Sequence, residues 1–182
     1  MSLIRHIYLA YFSQPKSERV LYRLIRRHKI HRIVELGIGA GVRATRLIQA
    51  AQGASPGATI RYTGIDLFEA RPDKTAPGLP LKEAYRRLKS TGVQPQLVPG
   101  DPFSALARVA NGLQGTELVL ISADQDPATL SQAWFYFPRL LTPKSLIFSE
   151  AVETGTGRRT LKQLTRLEVE RLASSGERRR AA

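Results

Sequence analysis

The feature that most constrains this chain is a glycine-rich turn that follows a mostly apolar run. Residues 33–36, Ile-Val-Glu-Leu, lead directly into Gly37, Gly39 and Gly41, and an amphipathic stretch begins after the last glycine. Glycine adopts positive φ angles and has no Cβ, so the main chain of such a turn can lie against a ligand. The pattern predicts a strand, a ligand-binding turn and a helix. The alternative is a tight connection that binds nothing.

The residues after this turn narrow the type of ligand. A phosphate-binding loop would continue with Gly-Lys-Ser or Gly-Lys-Thr, whereas Val42, Arg43 and Ala44 stand here. A dinucleotide-binding turn would have its third glycine where this chain has Val42, and Glu35 precedes the turn. A nicotinamide-dependent dehydrogenase is therefore the least favoured interpretation.

Apolar runs alternate with helical patterns along the chain. Strands are predicted at residues 32–36, 60–65, 96–99, 117–122 and 145–149, and helices between or after them at 43–52, 81–90, 102–110 and 127–141. Parallel neighbours need a crossover connection, which a helix usually supplies in a right-handed sense. We therefore predict an α/β, doubly wound, Rossmann-like fold, with a mostly parallel sheet of about five strands and helices on both faces.

Acidic residues end the second and third predicted strands. Asp66 and its neighbour Leu67 follow the second strand, and Gly100 with Asp101 follows the third. At the tip of the second strand a carboxylate can accept hydrogen bonds from the hydroxyls of a ribose, or it can cap the following loop. Asp101 can accept from an adenine amino group, or it can cap the helix that begins at Pro102.

Taken in order and spacing, these residues resemble the class I S-adenosylmethionine-dependent methyltransferases over residues 30–150. The resemblance implies S-adenosylmethionine as the cofactor. It implies that Asp66 holds the ribose and that Asp101 and its neighbours line the adenine site. The residues that it places beside the methionine part of the cofactor are Glu35, Gly37, Gly39 and Gly41.

The end of the fourth predicted strand bears on the reaction. The stretch from Leu118 to Asp126 resembles catechol-type and related small-molecule O-methyltransferases, in which an acid at the strand end helps bind a divalent metal. This chain has Ser122 at that position, and a lone serine is a poor ligand for a hard cation. We therefore assign no metal ligand, with an acidic cluster of Asp124, Asp126 and Glu150 as the alternative. We expect Asp124 to contact the acceptor or remove its proton.

The C-terminal region departs from the usual family pattern. The leucines at 161, 164, 167 and 172 predict one amphipathic helix, and no C-terminal β-hairpin is expected. The strand at 145–149 would then be an edge, covered by the N-terminal segment, by that last helix or by a second subunit. Residues 1–182 would form a single domain, with a basic helical segment at 1–31, a cofactor-binding core at 32–150, and a helix and basic tail at 158–182.

The charge balance bears on the acceptor. The chain has 28 Lys and Arg against 15 Asp and Glu, a net charge of +13, and the excess lies at the two ends. Such asymmetry suggests an acidic partner, so a nucleic-acid (RNA) methyltransferase is the alternative to a transferase with a small-molecule acceptor. A cofactor-binding protein without transferase activity is a third possibility.

Composition and hydropathy limit other functions and the location. The absence of cysteine excludes thiolate metal sites and a cysteine nucleophile. No apolar run has the length of a transmembrane helix, so we expect a cytoplasmic protein, either monomeric or a homodimer.

Overall fold

The computed structural model describes residue 4, residues 7–72 and residues 78–180, the last five by their backbone alone. These residues form six strands: β1 (Arg32–Leu36), β2 (Arg61–Asp66), β3 (Gln96–Pro99), β4 (Thr116–Ile121), β5 (Leu141–Val152) and β6 (Arg159–Leu164). The α-helices are α1 (Arg19–His28), α2 (Val42–Ala54), α3 (Leu81–Lys89), α4 (Pro102–Val109), α5 (Pro127–Ala133), α6 (Phe137–Leu140) and α7 (Arg166–Arg180). A π-helical turn (Tyr8–Phe12) and 3-10 turns (Lys16–Glu18, Phe68–Ala70, Ala110–Leu113, Trp134–Tyr136) complete the elements.

The strands form one sheet in the order β3-β2-β1-β4-β5-β6. The first five strands are parallel, which confirms the predicted α/β, Rossmann-like class, and β6 runs antiparallel to β5. The chain leaves β1 towards β2 on one side and later returns to place β4 on the other side. The strand order therefore reverses between β1 and β4, and ligands of open α/β sheets bind at the carboxyl edge of such a point.

The prediction of a sheet that stops at five strands, without a hairpin, is wrong. Leu161 and Leu164 lie on β6, whose residues pair with β5 from Ile147 to Val152. The intervening turn contains Gly155 and Gly157, both with positive φ angles. Spacing by threes is compatible with a helix, but pairing with a distant strand decided the outcome. The backbone edge of β5 is thus covered by β6, not by any of the three elements expected.

The two faces of the sheet carry separate apolar layers. Helices α1, α2 and α3 pack on one face, where Leu21, Ile25, Leu47 and Leu88 are fully buried. The other face is covered by α4, α5, α6 and α7, with Phe137 at 0% exposure. Burial of both faces explains why the central parallel strands are almost continuously apolar. Within the part of the chain that the structure describes, we find no helix with the length and apolarity needed to cross a bilayer.

Candidate functional site

A cleft of about 240 Å³ opens at the carboxyl edge of the sheet, where the strand order reverses. Six of the residues predicted to bind cofactor or acceptor line it: Gly37, Gly39, Asp66, Leu67, Asp101 and Asp124. The other walls include Arg71, Pro102, Ser122, Gln125 and Arg159. The structure therefore brings together most of the predicted site. Glu35, Gly41 and Gly100 are not among the lining residues.

The glycine turn has the predicted left-handed backbone. The φ angles of Gly37, Gly39 and Gly41 are 86°, 58° and 72°. A Cβ on Gly37 would lie 2.6 Å from the Cβ of Ser122 and 2.5 Å from Nε2 of Gln125, so this glycine is required by the protein's own close packing. Gly41 is the N-cap residue of α2, and a Cβ built on it would lie 3.3 Å from side-chain atoms of Leu79 and Arg87, neither of which lines the cleft.

Asp66 holds the glycine turn in place while it faces the cleft. One carboxylate oxygen accepts from the backbone N–H groups of Ile38 (2.7 Å) and Gly39 (3.1 Å), and the other accepts from the N–H of Phe68 (3.0 Å). The guanidinium of Arg71 donates to both oxygens, at 3.1 and 2.6 Å. The loop-capping role considered for Asp66 is therefore present. A ribose contact would have to replace the contact with Arg71.

Glu35 is completely buried beneath the turn and does not reach the cleft. Its carboxylate accepts a hydrogen bond from Nε of Arg43 at 2.7 Å and another from the Tyr62 hydroxyl at 2.5 Å. Burial, reinforced by the charge of Glu35, raises the pKa of Tyr62 well above its ordinary value. The phenol therefore stays protonated and donates. Glu35 acts here as the anchor of α2 on β1.

A chain of alternating charges continues from this pair to the cleft. Arg43 also donates to Glu150 at 3.2 Å, and Glu150 accepts from Arg159 at 2.8 Å. Arg159 then donates to both carboxylate oxygens of Asp124, at 2.8 and 3.0 Å. The hydroxyl of Ser122 lies 3.3 Å from the Glu150 carboxylate and 3.2 Å from that of Asp124. The network joins β1, α2, β5, β6 and the segment after β4 at the carboxyl edge of the parallel strands.

Sequence reasoning missed Arg43, Arg71 and Arg159. Arg43 follows the glycine turn and Arg71 follows the second strand, so their positions near a site were signals that could have been used. Arg159 was not recognised as a site residue because its segment was interpreted as part of a helical region. The guanidinium of Arg159 occupies the space between Asp124 and Glu150. Among the residues described, no group of three or more His, Cys, Asp or Glu side chains could hold a metal ion.

The predicted role of Asp101 as a helix cap is confirmed. Its carboxylate accepts from the N–H groups of Phe103 (2.9 Å) and Ser104 (3.0 Å), and Pro102 occupies the first turn of α4. Asp101 also lines the cleft, so the adenine-side role stays a prediction. Gly100 belongs to the turn that supports it, and its N–H donates to the carbonyl of Asp66 at 2.9 Å.

The Arg159 ion pair makes Asp124 a weak base. Hydrogen bonds from Arg159 lower the pKa of Asp124 below its ordinary 3.8, although partial burial opposes this. A carboxylate with a lowered pKa is ionised throughout the neutral range and has little tendency to take a proton. Asp124 therefore suits orientation of an acceptor better than removal of its proton.

We expect Arg159→Gln to raise the pKa of Asp124, as followed by a carbon-13 NMR titration of its carboxyl group. Folding lowers the pKa of Asp124, so the Arg159–Asp124 pair stabilises the protein above pH 3.8, the ordinary pKa of the group. This stability is lost as the pH falls through the folded-state pKa. Arg158→Gln is the matched control, because the structure describes no ion pair from Arg158 to a carboxylate. An unchanged Asp124 pKa in Arg159→Gln would contradict the assignment.

Comparisons with known proteins bear on the fold. No family model matches the chain, and no curated protein matches its sequence. An O-methyltransferase from Bacillus cereus in complex with SAH is 16% identical, with a TM-score of 0.56 over 95% of this chain and 72% of that chain.

A second solved structure gives a similar result. The O-methyltransferase TomG from Streptomyces achromogenes, involved in tomaymycin synthesis and in complex with SAM, is 14% identical, with a TM-score of 0.53. The match covers 98% of this chain and 77% of that chain. Identity this low shows the architecture alone. The chain has the fold of the class I S-adenosylmethionine-dependent methyltransferases.

Proposed function

We propose that this chain is a methyltransferase that binds S-adenosylmethionine in the cleft between Gly37, Asp66 and Asp124. The observation that carries the proposal is the meeting of a positive-φ glycine turn and a strand-end carboxylate at the point where the strand order reverses. This is the position at which doubly wound sheets bind nucleosides. The solved structures of the same fold contain SAM or SAH, which supports the same cofactor here.

The residues of the cleft fit an adenosyl ligand with one adjustment. Gly37 and Gly39 offer bare main chain, Leu67 and Pro102 offer apolar walls, and Asp66 offers the carboxylate. The cleft volume of about 240 Å³ is just under the range of roughly 300–1,000 Å³ that is usual for small-molecule sites. Withdrawal of the Arg71 guanidinium from Asp66 would widen the cleft and free the carboxylate for ribose hydroxyls.

S-adenosylmethionine, when bound, supplies a methyl group already activated on a sulfonium. An acceptor held beside it would take this methyl group and give up its own proton, while the electron pair of the methyl–sulfur bond would remain with the departing thioether. The protein's task is mainly orientation. Asp124 is held by Arg159 at the mouth of the cleft, where it can accept a hydrogen bond from an acceptor hydroxyl and direct its lone pair. The proton itself passes to solvent.

The surroundings of Arg159 favour a small acceptor that carries negative charge. Arg159 lines both the cleft and a second cavity of about 680 Å³. The walls of the second cavity also bear Lys16 and Arg158, whose side chains form no ion pair with a carboxylate in the described part of the chain. These two cations, in a cavity that shares Arg159 with the cleft, would attract an anionic acceptor.

RNA is the second candidate acceptor, because the same cations could bind its phosphates. An acceptor that engages many phosphates would bind with a steep dependence on salt, whereas a single anionic group gives a shallow one. The slope of acceptor binding against salt concentration distinguishes the two.

Calorimetric titration tests the cofactor assignment directly. We expect saturable heat with S-adenosylmethionine and with S-adenosylhomocysteine, because both present the adenosyl group that the glycine turn and Asp66 would hold. NADH serves as the control ligand: it shares the adenosine but carries a pyrophosphate in place of the methionine part, and the turn has Val42 where a dinucleotide-binding turn has its third glycine, so NADH should bind much more weakly. Absence of heat with S-adenosylmethionine at millimolar concentration, from protein with an intact thermal transition, would overturn the proposal.

A further inference from the structure

Several apolar side chains near the N-terminus are exposed to solvent, although their neighbours in the chain are buried. This exposed apolar face consists of Ile4, Ile7, Tyr8, Tyr11 and Phe12, whose exposures range from 42 to 79%. Leu9 and Ala10, on the same π-helical turn, are buried against the body of the protein at 3 and 0%. The turn is thus anchored by one side and presents the other, largely apolar, side to solvent. Contiguous exposed apolar side chains commonly mark an interaction site.

Arginine side chains border this face. Arg23 of α1 lies with its guanidinium carbon 5.9 Å from the centre of the Tyr11 ring. Arg19 donates to the carbonyl of Ser13 at 2.8 Å, directly after the turn. Arg19 and Arg23 contact this region directly, and Arg27 lies one turn further along the same side of α1. None of the three forms an ion pair with a carboxylate that the structure describes.

We propose that the exposed apolar face and its arginine border form a docking surface for an anionic lipid bilayer, independently of the proposed transferase function. Aliphatic and aromatic side chains enter the boundary between headgroups and acyl chains, while the flanking cations pair with lipid phosphates and carboxylates. Each basic residue near an anionic surface strengthens binding roughly fivefold. The apolar side chains and the arginines together would give reversible binding to the bilayer, and neither group would be sufficient without the other.

Other occupants fit the surface less well. A second copy placed across a twofold axis would bring the same arginines of both copies towards each other, which opposes association. Single-stranded nucleic acid would stack on Tyr8, Tyr11 and Phe12 but would leave the aliphatic Ile4 and Ile7 exposed. A bilayer accounts for both the aliphatic side chains and the charge.

Vesicle sedimentation tests the proposal. Wild-type protein should pellet with vesicles of three parts phosphatidylcholine to one part phosphatidylserine. It should remain in the supernatant with pure phosphatidylcholine. The double variant Tyr11→Ser/Phe12→Ser should lose about tenfold or more in affinity for the anionic vesicles, and Arg23→Gln/Arg27→Gln a comparable amount.

The control is Val152→Ser/Leu167→Ser, which removes two apolar side chains that are 48 and 57% exposed elsewhere on the surface. It should bind like the wild type, and thermal melts should show that all variants are folded. The proposal would be overturned if the wild-type protein stayed in the supernatant with anionic vesicles. Unchanged binding of anionic vesicles by Tyr11→Ser/Phe12→Ser would also overturn it. The same holds if the wild type is a dimer and this double variant is a monomer, because the surface would then be a dimer interface. Binding of polyuridylate without vesicle binding, lost in the same variant, would assign the surface to nucleic acid instead.

Discussion

Gly39→Val is expected to weaken S-adenosylmethionine binding by at least about a hundredfold, as measured by calorimetry. Gly39 lines the cleft with a φ angle of 58°, and its N–H donates to Asp66 at 3.1 Å. A β-branched side chain at this position would be strained, and it would place atoms on the bare main chain proposed to face the adenosyl group. The effect should be seen as lost affinity, with the fold retained.

Gly57→Val separates this effect from general backbone strain. Gly57 has a φ angle of 83°, and a Cβ built on it would meet nothing within 4 Å. Both variants should lose roughly 1–3 kcal/mol of stability, because each forces a branched residue into the left-handed region. Of the two variants, only Gly57→Val should bind S-adenosylmethionine with normal affinity. Equal loss of binding in the two variants would mean that strain, not occupation of the cleft, is responsible, and unchanged affinity in Gly39→Val would remove the glycine turn from the cofactor site.

The part of this site that could be predicted from sequence is the part with local signals. Strand β1 and the glycine turn are adjacent in the chain, so the apolar run and the positive-φ requirement of Gly37 and Gly39 identify them together. Asp101 precedes a proline and a helical pattern, which is a local sign of a helix cap. The position of Asp66 at the tip of the second strand predicted that it would lie beside the same turn, and it lines the cleft.

The remainder depends on contacts between distant segments. Glu35 is eight residues from Arg43, yet their ion pair requires α2 to pack on β1 in one particular rotation. Arg159 reaches Asp124 only because β6 pairs with β5, and the leucine spacing around it is equally compatible with a helix. No periodicity within a single segment contains this information. The pairing of these side chains could therefore not be predicted from the sequence, although Glu35 and Asp124, at the two ends of the network, had both been identified.

Arg43→Met is expected to destabilise the protein by about 3–5 kcal/mol in urea unfolding, a large part of the total stability of a typical domain. The Arg43 side chain is 11% exposed, and it is the cation shared by the buried carboxylates of Glu35 and Glu150. Methionine fills a similar apolar volume but leaves both carboxylates without that partner. Among the contacts that the structure describes, Glu35 would keep the Tyr62 hydroxyl, and Glu150 would keep Arg159 together with the Ser122 hydroxyl and the Ala123 N–H.

Arg46→Met is the matched control on the same helix. Arg46 lies one turn further along and is 25% exposed; it donates to the Gln14 carbonyl and approaches the buried Glu18 only to 3.7 Å, while Glu18 keeps its hydrogen bond from Tyr22, so the loss of Arg46 should cost about 1–2 kcal/mol. Adding Glu35→Gln to Arg43→Met should recover about 1–3 kcal/mol, because it removes a buried charge that has lost its partner. Equal destabilisation by Arg43→Met and Arg46→Met, or no recovery in the double variant, would show that the network does not anchor α2 to the sheet. Recovery would instead identify the Glu35–Arg43 pair as the support beneath the glycine turn.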